Sequence, residues 1–351
     1  MKELEALFAT GRPPALMRAA LLQEAGRPLL LCDVPVPALT AGQLLVRLDA
    51  CGICHTDLHV QSGGSPVHRP LILGHEGIGR VAGIAPDVGG WRLGDRVGVP
   101  WLHDTCGHCR ECLSGAESFC QAQRAHGYNV DGAFAEYVAV DARYAVRLPD
   151  AIDPIEAAPL MCAGVTAYGA VKTTKIGLGS VCAIFGCGGL GLFAVQLAAR
   201  AGATVVALDI APSKLERARE LGAHHAVLVD DETIGCLKAL GGVSAAINFA
   251  PTDATWPIML AAIRPRGVIV AAAMVAKPVQ VSQEWLAATG VTITGTSVGT
   301  RLDMEELMRL HADRPIVSET QTLALSEVNQ GLERLSRGEV AGRLVIDLHA
   351  A

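Results

Sequence analysis

The pattern of apolar and polar positions divides the chain into two kinds of segment. Short strand-like runs separated by Gly, Pro and Asp follow one another from residue 17 to about residue 150. Such runs with frequent turns predict a β-rich domain. From about residue 164 the pattern changes to uniformly apolar runs of five to seven residues with helical stretches between them. Apolar strands of that kind predict a parallel sheet that is covered by helices on both faces.

The apolar runs of this second segment are sufficient for a complete dinucleotide-binding domain of the doubly wound type. They stand at residues 180–185, 204–208, 225–229, 245–249, 267–273 and 291–296. The tail then returns to mixed character, with helical pieces around 303–312 and 326–337 and a final strand-like GRLVIDL. This return predicts that the α/β unit is inserted into the β-rich domain.

The length of 351 residues exceeds what one compact core usually supports, which agrees with two domains. We place the β-rich domain at residues 1–163 and 297–351 and the dinucleotide-binding domain at residues 164–296. Residues 1–16 stand before the first strand-like run, so we interpret them as an N-terminal extension.

Composition and charge narrow the class of partner and the compartment. The net charge of −6 and the scattered Lys and Arg argue against a nucleic-acid partner. The chain has no apolar run of the roughly 18 uncharged residues that a membrane helix needs, and its start has no continuous apolar segment. We therefore expect a cytoplasmic protein with a small-molecule substrate and no membrane partner. In a reducing compartment its 11 cysteines are expected to be free thiols or metal ligands.

A glycine-rich turn carries the first chemical signal. Gly186, Gly188 and Gly191 form G-x-G-x-x-G between an apolar strand and an apolar helix, and Asp209 ends the next strand. The glycines allow the pyrophosphate of a dinucleotide to approach the amides of the helix N-terminus. Asp209 would accept hydrogen bonds from the adenosine ribose, and its charge favours NAD over NADP. A turn that only packs the helix on the strand is the alternative.

Four cysteines with the spacing C-x2-C-x2-C-x7-C indicate a closed, structural zinc site. They are Cys106, Cys109, Cys112 and Cys120. Turns at these separations can place four thiolates on a tetrahedron. Iron–sulfur ligation and an unliganded group of thiols are the alternatives, although the last cysteine is not followed by the proline of the bacterial iron–sulfur pattern.

A second, dispersed set consists of Cys54, His75 and Cys162. Each one alone is explained as well by a buried small residue or a turn histidine. Together they offer two thiolates and an imidazole, the three-ligand pattern that leaves a fourth zinc position for water or an alcohol oxygen.

These motifs together identify a resemblance. CGICHTDLH, GHEGIG, CGHCRECLSGAESFC, CAGVTAYGA and GCGGLG resemble the zinc-dependent alcohol dehydrogenases of the medium-chain dehydrogenase/reductase superfamily. The bacterial and yeast tetrameric branch is the most similar, and the resemblance extends from residue 17 to the end of the chain. It implies a GroES-like β-rich catalytic domain with an inserted Rossmann domain, two zinc ions per subunit, NAD, and a homotetramer with a dimer as the alternative.

The resemblance also implies roles around the catalytic zinc, with Cys54, His75 and Cys162 as its ligands. Asp57 matches the carboxylate that orients the zinc histidine, and a turn-capping Asp is the alternative. Glu76 matches a glutamate behind the zinc, and a solvated or salt-bridged carboxylate is the alternative. Thr56 and His59 match the proton relay.

Four further residues are implied to contact the cofactor. The resemblance places His55 and Arg343 at the pyrophosphate, Lys214 at the ribose and Thr166 at the nicotinamide. For Lys214, an exposed helix lysine is an equally good explanation.

The substrate pocket is implied to involve Trp101 and Leu102. Ser65 stands where yeast-like relatives carry a Trp, which predicts a wider pocket that accepts medium-chain or aromatic primary alcohols and aldehydes. A threonine or polyol dehydrogenase of the same superfamily is the alternative.

Two other readings are less compatible with these residues. A quinone-reductase-like protein would not need Cys54, His75 and Cys162. A non-catalytic, zinc-stabilised nucleotide sensor would not need Thr56 and His59.

Overall fold

The computed structural model describes residues 13–350, which form two compact units. The first unit comprises the chain up to Cys162, then Thr300–Arg314 and the part from Ser318 onward. The second unit comprises Ala163–Gly299 and Pro315–Val317. The first unit is rich in antiparallel strands, and the second contains a parallel sheet with helices between its strands. The predicted fold class, a GroES-like domain with an inserted Rossmann sheet, is confirmed.

The first unit is organised around a long strand, Gln43–Ile53, whose side chains are almost all buried. This strand pairs antiparallel with three others, so its alternating residues contribute to the core on both faces. The strands of this unit are β1 (Leu16–Leu22), β2 (Leu30–Pro35), β3 (Gln43–Ile53), β4 (Leu71–Ile72), β5 (Gly77–Ile84), β6 (Arg96–Val99), β7 (Leu102–Asp104), β8 (Arg124–Ala125), β9 (Tyr137–Asp141), β10 (Val146–Arg147), β17 (Thr320–Ala324) and β18 (Arg343–Asp347).

These strands form three sheets, in the orders β2-β1-β4, β10-β6-β5-β3-β18-β17 and β7-β8, and β9 adds to β3. The helices of this unit range from 4 to 13 residues. They are α1 (His55–Gln61), α2 (Arg110–Leu113), α3 (Pro154–Ala157), α10 (Arg301–Asp313) and α11 (Val328–Ser336).

The second unit contains a parallel sheet in the order β13-β12-β11-β14-β15-β16. Its strands are β11 (Val181–Phe185), β12 (Thr204–Asp209), β13 (His225–Leu228), β14 (Val243–Asn248), β15 (Ile263–Ala271) and β16 (Thr292–Gly295). Its helices are α4 (Ala163–Thr174), α5 (Gly189–Arg200), α6 (Pro212–Glu220), α7 (Thr233–Ala239), α8 (Thr255–Ala262) and α9 (Gln283–Thr289). The strand order reverses between β11 and β14, and ligands of open parallel sheets bind at such a point.

The junctions of the compact units differ slightly from the predicted domain bounds. The chain passes into the second unit after Cys162 and returns after Gly299, whereas the pattern placed these junctions after residues 163 and 296. Residues 315–317, predicted in the catalytic domain, lie with the second unit. The reason is local, because the Gln196 side chain bonds both the N–H and the carbonyl of Val317.

The N-terminal extension predicted at residues 1–16 lies mostly outside the described residues, and Leu16 already belongs to β1. Among the described residues, no helix is both long and apolar enough to cross a membrane.

Candidate functional site

Three separate segments of the first unit bring the dispersed ligand set together. Cys54 follows the end of β3, His75 stands just before β5, and Cys162 follows a short 3-10 helix. Their ligand atoms and a carboxylate oxygen of Glu76 all lie within 4.8 Å of one another, and all four residues are buried. The geometry therefore places the three predicted ligands at one point.

Asp57 fixes the position of the histidine in this group. Its Oδ2 accepts a hydrogen bond from the Cys54 amide at 2.9 Å, and its Oδ1 accepts one from the Gly74 amide at 3.1 Å. His75 Nδ1 lies 3.3 Å from Asp57 Oδ1, a distance typical of an ion pair, although the angle is not that of a hydrogen bond. We treat this contact as electrostatic, and it leaves His75 Nε2 as the ring atom for a ligand role.

The electrostatics of the group favour a cation. Burial lowers the pKa of His75, but the Asp57 carboxylate and the Cys54 sulfur outweigh this effect and raise the pKa well above its ordinary value. The neighbouring Cys162 thiol, and then His75, lower the pKa of Cys54 well below its ordinary value. The surroundings thus stabilise a thiolate and a positive charge beside it.

The residues fit a bound zinc ion. Two sulfurs and one imidazole are a donor set that zinc takes at catalytic sites. His75 is 1% exposed, and within the described residues its Nε2 has no hydrogen-bond partner. A buried imidazole nitrogen without a partner is costly unless a ligand satisfies it.

Glu76 lies against the same group and forms a buried ion pair with Arg343. Burial raises the pKa of Glu76 to about 7, although the Arg343 charge opposes this shift. Gly52 of β3 makes room for the carboxylate, because a Cβ at this position would lie 1.9 Å from Glu76 Oε2. No pattern in the sequence indicates this role of Gly52. The predicted contact of Arg343 with a cofactor stays a prediction.

The predicted relay residues occupy helix α1, which begins directly after Cys54. The Thr56 hydroxyl lies 3.7 Å from the Cys54 sulfur, so it is next to the candidate metal position. His55 and His59 are exposed. The His59 ring packs on Gly64, where a Cβ would lie 2.4 Å from Cε1 of the imidazole. The helix therefore presents a hydroxyl near the ligands and an imidazole at the surface.

An aromatic pair stands beside His75. The Trp101 ring meets His75 edge to face at a centroid distance of 5.0 Å, and Tyr128 packs on Trp101 at 5.6 Å. Sequence reasoning missed Tyr128, since a lone Tyr in a turn carries no pattern. Of the other predicted pocket residues, Ser65 is 5% exposed and Leu102 is 4% exposed.

The second cysteine set forms a lobe in the loop between β7 and β8. The four sulfurs of Cys106, Cys109, Cys112 and Cys120 lie within 4.8 Å of one another, as a four-thiolate metal site requires. Amides of the loop point at the sulfurs, and those of His108 and Cys109 lower the pKa of Cys106 to about 6. The loop therefore favours a thiolate at Cys106. The Cys112 amide lowers the pKa of Cys109, but burial and the Cys112 sulfur outweigh this effect and raise that pKa to about 12. The four grouped sulfurs fit a structural zinc.

The glycine-rich loop lies at the carboxyl end of β11 in the second unit. Gly186 has a φ of 90°, and a Cβ on Gly191 would lie 1.8 Å from the Gly186 carbonyl oxygen, so helix α5 begins only because both are glycine. Asp209 Oδ2 accepts a hydrogen bond from the Cys187 amide at 2.7 Å, and Oδ1 accepts one from Ala211 at 3.0 Å.

The Asp209 carboxylate is thus held beside the loop before any ligand binds. The contacts of the other predicted cofactor residues of this unit with a cofactor stay predictions. Gly188 is the N-cap of α5, Lys214 is exposed on α6, and Thr166 is buried in the first turns of α4.

Comparison with known proteins agrees with this architecture. Residues 40–150 match the family model of the alcohol dehydrogenase GroES-like domain, and residues 189–313 match that of zinc-binding dehydrogenases. The chain is 40% identical to an alcohol dehydrogenase of Geobacillus stearothermophilus over 94% of this chain and 99% of that protein.

Solved structures give the same result. An alcohol dehydrogenase of Aeropyrum pernix superimposes with a TM-score of 0.85 at 34% identity, covering 94% of this chain and 99% of its own. The acetophenone reductase of Geotrichum candidum, solved in complex with NAD, has a TM-score of 0.85 at 28% identity, covering 96% of this chain and 98% of its own. With its two cysteine groups and its glycine-rich loop in place, the chain belongs to the zinc-dependent alcohol dehydrogenases of the medium-chain dehydrogenase/reductase superfamily.

Proposed function

We propose that this protein interconverts primary alcohols and aldehydes, with zinc at Cys54, His75 and Cys162 and with NAD as the hydride carrier. The observation that carries the proposal is the convergence of these three buried ligands, from segments far apart in the sequence, on one point. Family membership gives the reaction class, since the relatives are named as alcohol dehydrogenases.

Zinc, when bound, supplies Lewis acidity to the oxygen of the alcohol or aldehyde. The residues of the chain prepare the site for this chemistry. Asp57 holds the His75 ring in place, and the buried walls exclude water from the ligands. The Thr56 hydroxyl accepts the proton of the alcohol as its own proton is passed on toward the exposed His59, which releases a proton to solvent.

The preference for NAD is supported by Asp209. Its carboxylate stands at the end of β12, fixed by two backbone amides, where it would accept hydrogen bonds from a ribose diol. A phosphate on the 2′-oxygen would meet this negative charge. The Geotrichum relative that binds NAD is consistent with the assignment. We include Gly186, Gly188, Gly191, Lys214, Thr166, His55 and Arg343 among the cofactor contacts.

We further propose two zinc ions per subunit and a homotetramer. The Cys106–Cys120 loop has a single buried cysteine among its four, so a metal supplies the stability that an apolar core would otherwise give. Substrate breadth is supported by the resemblance, which puts Ser65 where yeast-like relatives carry a Trp, so that a smaller side chain would leave room for medium-chain or aromatic alcohols.

The test is reduction of NAD and, separately, of NADP by purified enzyme with ethanol, hexanol, benzyl alcohol, a secondary alcohol and a polyol. We expect NAD-linked turnover with the highest kcat/KM for hexanol or benzyl alcohol. A sharp preference for ethanol would contradict the pocket assignment. A preference for the polyol would favour the alternative substrate class, and preference for NADP would contradict the role of Asp209.

A further inference from the structure

The cysteine lobe is connected to the start of helix α10, about 180 positions later in the chain. The link is Glu117, which lies in the lobe between Cys112 and Cys120. Its Oε1 accepts a hydrogen bond from the backbone amide of Arg301 at 2.9 Å and one from the Arg301 guanidinium Nε at 3.2 Å. Arg301 is the first residue of α10.

This contact gives a hydrogen-bond partner to an amide at the start of helix α10. The first amides of a helix have no partner inside it, and a carboxylate there also interacts favourably with the helix dipole. Thr300 caps α10 from its own side chain, by accepting from the Asp303 amide at 3.1 Å. Glu117 supplies the partner for the Arg301 amide, two residues before Asp303. The Glu117 side chain is only 4% exposed. A buried carboxylate is costly without these bonds, so the lobe and the helix start are mutually dependent.

A second connection reaches a metal-binding sulfur itself. The Thr105 hydroxyl lies 3.2 Å from Cys112 Sγ and 2.5 Å from the Tyr144 hydroxyl. A thiolate can only accept hydrogen bonds, so both hydrogen bonds run toward the sulfur when Cys112 is ionised. Tyr144 then donates to Thr105, and Thr105 donates to the sulfur.

Arg301 joins the two connections. Its guanidinium carbon lies 4.8 Å from the centre of the Tyr144 ring, a cation–π contact, while its Nε bonds Glu117. Tyr144 is 5% exposed, so ring and guanidinium are packed in one place. Arg301 therefore contacts both Glu117, which accepts the hydrogen bond of its amide, and Tyr144, which bonds the threonine at the Cys112 sulfur.

We propose that Glu117, Arg301, Tyr144 and Thr105 act as a clamp that couples metal retention in the Cys106–Cys120 lobe to the docking of α10. The metal holds Glu117 and Cys112 in the positions that receive the clamp, and the docked helix in turn slows loss of the metal. Thermodynamic linkage requires that the metal stabilise helix docking by the same free energy by which docking stabilises the bound metal. The clamp residues position the ligands and do not contact substrate. The proposal rests on the zinc proposed for the lobe and is independent of the substrate.

The first experiment measures metal retention in cadmium-substituted enzyme. Each sulfur ligand deshields cadmium, so NMR separates the four-sulfur lobe from the other site, and loss of its resonance to excess EDTA gives a release rate. We expect Thr105→Val to speed release about tenfold, as for one hydrogen bond to a charged acceptor, and Tyr144→Phe to speed it about fivefold, as for one hydrogen bond between neutral groups. Both variants should shift the resonance. The double variant should release no faster than Thr105→Val alone, because Tyr144 acts through Thr105.

The helix side of the clamp is tested with Glu117→Gln, which should speed release by a similar factor. Glu305→Gln is the matched control, since Glu305 is an exposed carboxylate of the same helix whose partner is Arg309. Wild-type release rates in Glu117→Gln and Tyr144→Phe, or equal effects of the two Glu variants, would overturn the proposal.

The third experiment needs no variant. Amide hydrogen exchange of a peptide that spans the start of α10 is compared in enzyme with the lobe loaded and with the lobe stripped. We expect exchange to rise at least tenfold on stripping, and no change would contradict the clamp. Metal analysis of the purified enzyme distinguishes a failure of the zinc proposal from a failure of the clamp proposal. A lobe without zinc would contradict the proposed cofactor content and the clamp together, whereas a loaded lobe with unchanged exchange contradicts the clamp alone.

Discussion

Arg343 donates a hydrogen bond to Glu76 across 267 positions of the sequence, and both side chains lie in the interior of the catalytic unit. Arg343 is 6% exposed and Glu76 is 0% exposed. Taking two charges out of water costs several kcal/mol for each ion, so each side chain depends on the other. The pair lies next to the candidate zinc ligands, where Cys54 and His75 also carry shifted pKa values.

Removal of one partner should therefore be far more harmful than removal of both. We expect Arg343→Met to lower the free energy of unfolding by about 3 kcal/mol, because Glu76 is left buried without its cation. The double variant with Glu76→Gln should recover more than half of this loss. Denaturant unfolding at a fixed zinc concentration measures both values.

The control for this prediction is Arg337→Met. Arg337 pairs with Glu333 at the surface, where both side chains are about 60% exposed. A pair of this kind contributes about 0.5 kcal/mol. Equal losses for Arg337→Met and Arg343→Met would show that burial of the Glu76 pair has no energetic consequence.

Asp209 should decide between the two nicotinamide cofactors. We expect Asp209→Asn to lower kcat/KM for NAD about tenfold, because charged hydrogen bonds to the ribose are lost, and to raise it for NADP. Asp230→Asn is the control, since Asp230 stands just after β13 and also accepts a hydrogen bond from a backbone amide. If the ratio of kcat/KM for NAD to kcat/KM for NADP is unchanged in Asp209→Asn, the charge of Asp209 has no role in the choice of cofactor.

The proton path is tested at Thr56, whose hydroxyl lies next to the ligand sulfur. Loss of a positioned proton carrier typically costs about a hundredfold in rate, so Thr56→Ala should lower kcat by roughly that factor. Thr56→Ser keeps the hydroxyl and should retain most of the rate. If both variants lose activity equally, the methyl group and its packing, not the hydroxyl, are what the enzyme needs.

His126 gives the protein a sensitivity to acid. It is 1% exposed, its Nδ1 donates to the Pro100 carbonyl at 2.8 Å, and burial lowers its pKa from 6.5 to about 3. The unfolded chain therefore binds a proton at His126 between pH 6.5 and pH 3 and the folded chain does not. Stability from this residue is complete above pH 6.5 and is lost as the pH falls toward 3.

At pH 5 this loss amounts to about 2 kcal/mol relative to pH 7. His126→Asn cannot take up the proton and keeps an N–H donor for the Pro100 carbonyl. The variant should lose about 2 kcal/mol less stability between pH 7 and pH 5 than the wild type, as measured by denaturant unfolding at each pH. The same pH dependence in both proteins would assign acid sensitivity to other groups.

The fold was largely readable from the sequence because its strongest signals are local. Uniformly apolar runs predicted the parallel sheet, and the strand ends differ from the observed ones by a few residues, as at β15, which begins at Ile263. Cysteine spacing predicted the lobe for the same reason, since Cys106 and Cys120 are brought together within one loop.

Contacts between distant segments were not readable in this way. No pattern in the sequence indicates the role of Glu117, because its partner Arg301 lies in another part of the chain. Gly52 and Tyr128 carry no pattern in the sequence, and their roles depend on what the fold places against them. Residues 315–317 lie with the second unit through one side chain, Gln196, which periodicity does not detect.

The central claim is that zinc held by Cys54, His75 and Cys162 is required for alcohol oxidation, and zinc content measured together with activity in Cys162→Ala tests it most directly. We expect the wild type to contain two zinc ions per subunit, and the variant to keep the lobe zinc, lose the other and lose activity at least about a thousandfold, since removal of the metal removes its Lewis acidity. Full zinc content with no activity in the wild type, or wild-type turnover in the variant with one zinc, would contradict the account.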